Sequence, residues 1–512
     1  MWCYRGSRHC TVNGGKMKSK ETLLNMITGL LLQFFALLSG MILPRIILSY
    51  FGSNINGMIA SIEQFLSYVT LIEGGVTGVI AASLYLPLAK KDEKELSSIM
   101  VVAKRFYRQM GIIFIVYSLF VSGFFAIKKG NEYGTLFVFL LVIVLSINLS
   151  IQYLLSLTLR TLLLADKKAY IISGSQIIII IMNIVCTVLL VHIYPSIHII
   201  KLISGGLYII QPIILYMYVK ERYNINWHVK PDNRLLKNRW NGFAINIAAF
   251  IHNSTDIAIL TVMMNFEAVS VYYVYNIVCG GLKQLITSCL SGIAQSLGHS
   301  YARGNVEEIN IKLDLYEYIV FVLVFFCFSV TILLMTPFVQ LYTDGISDAN
   351  YHQPIFGYLL ILSEVFYLVK LPYLDLAYVA NKFKEISAAA YIEAITNILL
   401  SVYFVYEWGL VGVVVGTVVA MFYRMIFHVN YTRRIIPTRK QYVFYKKIVS
   451  FFVTACIGLG ISRVFYPIVE LTWTNWFVHG IIYCFIIGIC MVGLSIICYR
   501  KEVTFIRQYI KI

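Results

Sequence analysis

The sequence predicts an all-α polytopic membrane protein that crosses the bilayer about fourteen times. Of its 512 residues, 59% are apolar and only 13% are charged, whereas about a quarter of the residues of a soluble domain carry a charge. Apolar stretches of about 20 residues, the length that spans the hydrocarbon core as a helix, recur along the chain. Positive charge also alternates between successive loops, as in proteins that cross a membrane repeatedly.

The apolar stretches define the expected helices in order. Their approximate spans are 23–50, 55–84, 109–127, 135–157, 170–193, 199–219, 242–265, 268–298, 315–341, 354–380, 386–405, 408–430, 447–466 and 475–498. The loops between them are short, and even the longest, 220–241, has no room for a soluble domain. The chain also lacks the GxxxxGK[ST] motif of a built-in ATPase. These features exclude a catalytic head or a nucleotide-binding domain carried in a loop.

The net charge of +17 follows the topology rather than indicating nucleic acid. Of the 42 Lys and Arg residues, only four fall outside and three lie within spans, namely Arg45, Lys283 and Lys370. The loop 220–240 holds six of them, whereas the opposite loop 342–354 holds none. Positive residues collect on the cytoplasmic side of membrane proteins. We therefore expect both termini to be cytoplasmic and the positive loops to attract anionic lipid headgroups.

A weak internal echo predicts two halves. The segment "LPLAKKDEKELSSI" (86–99) follows the second span and "HSYARGNVEEINIKL" (299–313) follows the eighth, at an offset of 213 residues. Parallel repeats of this kind form two pseudo-symmetric halves with a binding site between them. The expected parts are a cytoplasmic segment 1–22 (with Met17 as an alternative start), an N-lobe 23–219, a basic cytoplasmic linker 220–241, a C-lobe 242–430, and a C-terminal part 431–512 with two further helices and a cytoplasmic tail.

Charged side chains within the spans mark the candidate site, since a charge at the centre of a membrane helix costs about 2.5–3.5 kcal/mol. They fall on few helices, among them spans 1, 2, 7 and 8, which the repeat places in matching positions. We therefore expect a hydrated cavity between the halves. The candidate residues are the cations Lys283, Arg45 and Lys370 and the polar or acidic residues Asp256, Asn253, Asn246, His252, Glu63, Glu364 and Asp375.

The depth of each residue in the bilayer helps to distinguish a role in a binding site from a purely structural role. Asp256 and Lys283 lie near mid-bilayer, at about 21 Å into span 7 and about 15 residues into span 8. The ammonium of Lys283 needs an acid partner or an anionic ligand there, whereas Asp256 also fits a buried structural cluster. Arg45 lies about 33 Å along span 1, where snorkelling to the headgroups is an equal alternative. In span 10, Pro372 predicts a kink close to Lys370.

Two segments resemble a transporter family. The run "LPRIILSYFGSNINGMIASIEQFLSYVTLIEGGVTGVIAASLYLPLAKKD" (43–92) is similar to the first helix pair of Wzx-type polysaccharide flippases, which share a superfamily with MATE antiporters and lipid II flippases. The run "NSTDIAILTVMMNFEAVSVYYVYN" (253–276) resembles the start of their second half. The resemblance implies two six-helix lobes around a central cavity lined mainly by spans 1, 2, 7 and 8, plus two C-terminal helices.

The resemblance also implies a function. It is the transfer of an undecaprenyl-pyrophosphate-linked oligosaccharide from the inner to the outer leaflet of the bacterial cytoplasmic membrane, for O-antigen, capsule or exopolysaccharide synthesis. Lys283, Arg45 and Lys370 would then neutralise the pyrophosphate, and Asn, Tyr and His side chains would bind the sugars. Asp256, Glu63 or Glu364 would take the H⁺ or Na⁺ that drives the cycle.

Two alternatives stay open at the sequence level. An ion-coupled antiporter for cationic drugs needs a net acidic, aromatic cavity. A membrane enzyme, such as a polysaccharide polymerase or an acyltransferase, needs a large outer loop or a histidine-centred site, and His252 is a lone histidine at mid-bilayer. For the flippase we expect no enzymatic activity, cofactor, metal or nucleic acid. The expected partners are the lipid-linked glycan, membrane lipids and polysaccharide polymerase or assembly proteins, around a monomer.

Overall fold

The structure is a computed structural model that describes residues 13–229 and 255–510. These residues form helices and no strand. The helices are α1 Asn13–Ser67, α2 Thr70–Lys90, α3 Glu93–Tyr133, α4 Thr135–Ile151, α5 Leu157–Ala165, α6 Ala169–Ile193, α7 Ile197–Gly206, α8 Ile210–Arg222, α9 255–263, α10 Phe266–Ala302, α11 Val306–Tyr342, α12 Pro354–Val369, α13 Leu371–Val379, α14 Phe383–Trp408, α15 Leu410–Ile435, α16 Tyr442–Phe465, α17 Trp473–Cys498 and α18 Arg500–Ile510. A π-helical turn, Gln152–Ser156, joins α4 to α5.

The helices confirm the predicted class of an all-α polytopic membrane protein. In the described part of the chain, 12 helical segments are long and apolar enough to cross a membrane, and Val76–Lys90 is a shorter apolar helix. The predicted span 242–265 lies mostly outside the described residues. Its described end forms α9. Many large apolar side chains face outward, such as Ile481 at 72% and Phe485 at 70% exposure. Such a surface suits lipid rather than water.

The first two predicted spans are arranged differently from the expectation. Helix α1 continues through both, but Gly52 breaks it with a φ of 80°. The predicted gap between residues 50 and 55 thus corresponds to a sharp break without a loop. The predicted span 55–84 is itself divided between the end of α1 and α2, because a turn at residues 68–69 interrupts it.

The offset of 213 residues recurs in the helix termini. Asp92 caps α3 by accepting hydrogen bonds from two backbone N–H groups, and Asn305, 213 residues later, caps α11 in the same way. The preceding residues, Lys91 and Gly304, share the same offset and both have positive φ. A side-chain cap of this type stabilises a helix start by about 1 kcal/mol. The sequence echo therefore reflects two copies of the same helix–turn–helix geometry.

The described part of the chain divides into two compact units. Among the described residues, the first comprises 13–43 and 66–229, and the second comprises 44–65 and 255–510. In the first unit, the buried hydroxyl of Tyr107 lies 2.9 Å from Thr77 and 3.0 Å from Thr161, which ties α3 to α2 and α5. The lobe boundaries predicted around the linker 220–241 stay a prediction.

In the second unit, a buried ionic cluster fixes α16 to α11. Glu317, which is fully buried, forms ion pairs with Arg439 and with Lys447, the latter at 3.0 Å. Asp314 pairs with the same two cations at 3.0 and 3.2 Å. Burial alone would lower the pKa of Arg439, but the carboxylates of Glu317 and Asp314 outweigh it and raise that pKa above its usual value. The first of the two C-terminal helices is therefore anchored by charge as well as by apolar packing.

At the position of the predicted kink, span 10 is interrupted at a single residue. Helix α12 ends at Val369, Lys370 lies between the helices, and Pro372 occupies the first turn of α13. A proline fits the first turn because its missing N–H has no partner there in any case. The carbonyl of Lys370 still accepts hydrogen bonds of 3.1 Å from the backbone N–H groups of Tyr373 and Leu374, so Lys370 links the two helices beside the residues of the candidate site.

Candidate functional site

The second unit contains a polar cavity of about 230 Å³. Helices α9, α10, α12 and α15 contribute its wall, together with Gln64 from the end of α1. The lining residues are Gln64, Asp256, Ile257, Tyr272, Asn276, Gly280, Lys283, Leu360, Ser363, Glu364 and Thr417. Three of the predicted site residues, Asp256, Lys283 and Glu364, therefore meet at one cavity although they come from three different helices.

Lys283 forms an ion pair with Glu364 across this cavity. Its Nζ lies 3.2 Å from Oε1 and 3.1 Å from Oε2 of the carboxylate. Both side chains keep part of their surface exposed, 18% for Lys283 and 12% for Glu364. Of the two partners predicted for Lys283, an acid or an anionic ligand, the acid is present, and the pair lies where a ligand in the cavity can reach it.

Asp256 is held by hydroxyl groups rather than by a cation. Tyr272 donates a hydrogen bond of 3.0 Å to its carboxylate, and the hydroxyl of Thr417 lies 3.0 Å from both carboxylate oxygens. Asn397 donates in turn to Thr417 at 3.3 Å. Asp256 is 6% exposed. A buried carboxylate in such surroundings can bind a proton or a small cation, because hydroxyl donors leave its charge uncompensated.

Lys370 does not line the cavity. Its Nζ lies 4.3 Å from the ring centroid of Tyr367, and Nζ of Lys283 lies 4.0 Å from the same centroid. The other close contact of Lys370 is the sulfur of Met421, at 3.4 Å. Lys370 is thus buried behind Tyr367, and it is the second cation in contact with that ring.

An ion pair between Glu393 and Arg424 lies farther along the same unit, and sequence reasoning missed Arg424. The two side chains join α14 to α15, and both residues are less than a tenth exposed. Arg424 also donates a hydrogen bond of 3.0 Å to Nε2 of His428. The spacing of Arg424 and His428, four residues apart on one helix face, was the available signal. Its position near the predicted cytoplasmic end of span 12 placed Arg424 with the loop charges instead.

The other predicted site residues lie apart from the cavity. Arg45 donates a hydrogen bond of 2.8 Å to the backbone carbonyl of Asp344. Glu63 is exposed, and Asp375 accepts a hydrogen bond of 2.6 Å from Tyr316. Asn246, His252 and Asn253 lie outside the described residues. Glu364 and Asp375 are separated by the helix break and contact different partners.

A second polar network holds residues 53–56 to the rest of the second unit. Asp348 accepts hydrogen bonds from the backbone N–H of Ser53, at 2.7 Å, and from its hydroxyl, at 2.6 Å. The hydroxyl of Tyr351 lies 2.7 Å from that of Ser53 and 2.8 Å from that of Ser270. Asn56 donates to Ser270 at 2.8 Å. The residues that follow the Gly52 break are therefore fixed by side chains distant in sequence.

The described residues contain no group of three or more His, Cys, Asp or Glu side chains that could hold a metal ion. The lining of the cavity offers a ligand one ammonium group and two carboxylates, together with hydroxyl and amide groups for hydrogen bonding.

Comparison with solved structures identifies the fold. A lipid II flippase, MurJ, in an inward closed conformation aligns with a TM-score of 0.64 and 17% identity, covering 94% of this chain and 100% of that one. An inward-facing multidrug resistance MATE family transporter of the MOP superfamily aligns with a TM-score of 0.62 and 14% identity, covering 80% and 96%. A MOP superfamily transporter from Pyrococcus furiosus gives 0.54 and 16%, covering 82% and 94%.

The chain has the MOP-superfamily fold. No family model matches it, and no curated protein sequence does so either. The alignment with MurJ covers nearly the whole chain. At these identities the likeness concerns the fold alone. The multi-pass membrane character is plain from the helices, whereas a function for this MOP-fold chain has to be argued from its own residues.

Proposed function

We propose that the protein is a flippase that moves an undecaprenyl-pyrophosphate-linked oligosaccharide from the inner to the outer leaflet of the bacterial cytoplasmic membrane by alternating access. The carrying observation is the Lys283–Glu364 ion pair on the wall of a polar cavity within the membrane-spanning part of the chain. Charged residues are retained inside a membrane where they face water, partners or a cargo. The MOP-superfamily fold and the resemblance to Wzx-type proteins support this proposal.

The cargo's chemistry fits an exchange of partners at Lys283. A pyrophosphate diester carries two negative charges, and an ammonium group binds phosphate as a point charge. In the structure the carboxylate of Glu364 is paired with the ammonium group of Lys283. An arriving pyrophosphate displaces the carboxylate of Glu364 from Lys283. When the cargo leaves, Glu364 forms the ion pair with Lys283 again. The sugars meet the hydroxyl and amide groups of Tyr272, Asn276 and Gln64, while the polyprenyl tail stays in lipid.

Asp256 is the proposed coupling residue. Its carboxylate is buried at the same cavity and is compensated only by hydroxyl groups. Binding of H⁺ or Na⁺ there changes the charge beside the Lys283–Glu364 pair. Glu364 is a second candidate for this role. Glu63 is a weaker one because its side chain is exposed and does not line the cavity.

The proposed setting is the bacterial cytoplasmic membrane, with both termini in the cytoplasm. The asymmetric distribution of Lys and Arg supports this orientation. We propose that the chain works as a monomer beside polysaccharide polymerase and assembly proteins, which take up the flipped cargo.

Complementation of a flippase-deficient bacterial strain tests the function. We expect the wild-type chain to restore surface polysaccharide and to clear lipid-linked intermediates from the inner leaflet. Lys283→Ala and Asp256→Ala should abolish both effects at normal expression, whereas Lys384→Ala, which changes an exposed lysine, should behave as wild type. Normal polymer in both cavity variants would remove the site assignment. Failure of the wild type with every polysaccharide tested would count against the function.

A cation antiporter is the second candidate, and one observation favours it. The described cavity wall carries two carboxylates and one ammonium group, because Arg45 and Lys370 do not line it. A net acidic cavity suits a cationic drug better than an anionic head. Resistance to cationic dyes, measured in a strain lacking its own drug exporters, separates the two functions. Resistance that requires Asp256 and survives Lys283→Ala would favour the antiporter.

A further inference from the structure

Lys370 is a buried lysine whose nitrogen forms no ion pair with an acidic side chain in the described part of the chain. It is 2% exposed, and its Nζ contacts the Met421 sulfur at 3.4 Å and the Tyr367 ring at 4.3 Å. No carboxylate of the described residues lies within ion-pair distance of this nitrogen. A thioether accepts hydrogen bonds only weakly, and a ring face contributes about 0.5–2 kcal/mol. These contacts accommodate an uncharged amine better than an ammonium group.

Lys447 shows how the same unit treats a buried lysine that stays charged. It is 3% exposed, and its Nζ lies 3.0 Å from the carboxylate of Glu317 and 3.2 Å from that of Asp314. The burial of the two lysines is equal, but their partners differ completely. The missing carboxylate is therefore a specific feature of the Lys370 site.

The charged groups around Lys370 are already matched with each other. They are Lys283 on α10, Glu364 on α12, Glu393 on α14, and Arg424 and His428 on α15. Lys283 pairs with Glu364, and Arg424 pairs with Glu393. His428 accepts a hydrogen bond from Arg424 through Nε2 and is therefore uncharged on that nitrogen. Lys370 is the cation left over from this set.

We propose that Lys370 takes up and releases a proton in step with anion binding at Lys283. The inference rests on the proposed function, since it needs an anionic cargo head in the cavity. Lys283 and Lys370 contact the same ring, so an anion on Lys283 adds negative charge close to Lys370 and favours its protonated form. The amine binds one proton from the aqueous cavity to become an ammonium, with no other bond made or broken. Departure of the anion releases the proton.

Calorimetry on the purified full-length protein measures this linkage directly. The ligand is geranyl-pyrophosphoryl-N-acetylglucosamine, a pyrophosphate diester whose phosphates hold no titratable proton near neutral pH. Binding heats in two buffers of different ionisation enthalpy, at one pH, give the number of protons exchanged. We expect the wild type to take up about one proton per ligand. Lys370→Met should bind the ligand with an uptake near zero, and the exposed control Lys384→Met should match the wild type.

Each remaining outcome either supports or overturns the inference. Binding by the wild type without proton uptake overturns it and leaves the proposed function intact. Uptake that persists in Lys370→Met but is lost in Glu364→Gln assigns the proton to Glu364 instead. If Lys370→Met does not fold, uptake retained in both Glu364→Gln and Asp256→Asn supports Lys370, and loss in either one overturns it. No binding by the wild type counts against the proposed function and this inference together.

Discussion

At the cavity wall, Glu364 holds Lys283 where an anionic ligand would hold it. The ion pair is part-exposed and joins α10 to α12. A carboxylate that competes with the ligand weakens binding but lets the cargo leave, and a transporter needs both steps. In the proposed flippase, the pair would therefore set the balance between capture and release.

Neutralising Glu364 should tighten ligand binding and slow the cycle. Glu364→Gln removes the negative charge that competes with the pyrophosphate for Lys283. We expect about tenfold tighter binding of the geranyl-linked diester, equivalent to ~1.4 kcal/mol, with reduced polysaccharide export in cells. Calorimetry and complementation measure the two effects. The matched control is Glu307→Gln, an exposed glutamate on α11, and unchanged or weaker binding by Glu364→Gln would contradict the competition.

The Glu393–Arg424 pair should contribute to folding rather than to binding. Removing one member of a buried pair leaves an uncompensated charge and costs about 3–5 kcal/mol, whereas replacing both with apolar residues is often neutral. We expect Glu393→Leu and Arg424→Met each to lower the thermal unfolding temperature in detergent, and the double variant to recover most of the loss. Additive losses in the double variant would show that the two charges do not act as a pair.

The sequence predicted what kind of partner a buried charge requires better than it predicted which residue supplies that partner. Lys283 at mid-bilayer required an acid or an anion, and Glu364 supplies the acid. That partner was not predictable, because it depends on how α10 packs against α12. Arg424 was missed because a charge near the end of an apolar stretch looks the same whether it faces the headgroups or a buried glutamate. Lys370 was correctly placed within a span, and its contact with Tyr367 was not predicted, although residues three apart lie on the same face of a helix.

At the scale of helices, the length of the apolar stretches predicted well which helices exist. The sequence predicted some of the breaks within those helices and missed others. The break in span 10 followed from Pro372, whose ring excludes it from a helix interior. The turn at residues 68–69 was missed because "YV" (68–69) contains neither proline nor glycine. The start of α11 was visible in the repeat, since Asn305 and Asp92 are both side-chain caps.

The break in α1 should depend on Gly52 and on Asp348. Gly52 has a φ of 80°, and a Cβ there would lie 2.7 Å from Oδ2 of Asp348. We expect Gly52→Ala to destabilise the protein by about 1–3 kcal/mol, from backbone strain and this clash. Asp348→Ala should cost about 1 kcal/mol through the lost cap at Ser53. Thermal unfolding in detergent measures both, with Gly123→Ala as the control because a Cβ there meets nothing within 4 Å. A Gly52→Ala variant as stable as that control would refute the strain.

For the whole molecule, composition and charge asymmetry were sufficient to predict a polytopic helical fold. Both features arise because the bilayer is the solvent for most of the chain, and its thickness sets the same helix length at every crossing. How two units are built from one chain was less predictable. Residues 44–65 group with the second unit although they precede most of the first in sequence. Long-range hydrogen bonds, such as Ser53 to Asp348, cause this grouping, and no local pattern encodes them.

The orientation in the membrane is the prediction on which the direction of transport depends. Helix α11, Val306–Tyr342, crosses once, so the loops at its two ends must lie on opposite sides. The distribution of Lys and Arg predicts Arg303 inside and Ser347 outside. In a variant without its ten natural cysteines, a membrane-impermeant maleimide applied to intact cells should label Ser347→Cys and leave Arg303→Cys unlabelled.

Permeabilised cells provide the control for this experiment, because both cysteines should then react if both are exposed. Labelling of Arg303→Cys alone in intact cells would invert every crossing. The basic loop 220–240 would then face outward, against the strong preference of Lys and Arg for the cytoplasmic side. An inward-to-outward flippase could not be sustained on that orientation, since its cargo would meet the cavity from the wrong leaflet. The proposed direction of transport therefore requires Ser347 to lie on the outer side of the membrane.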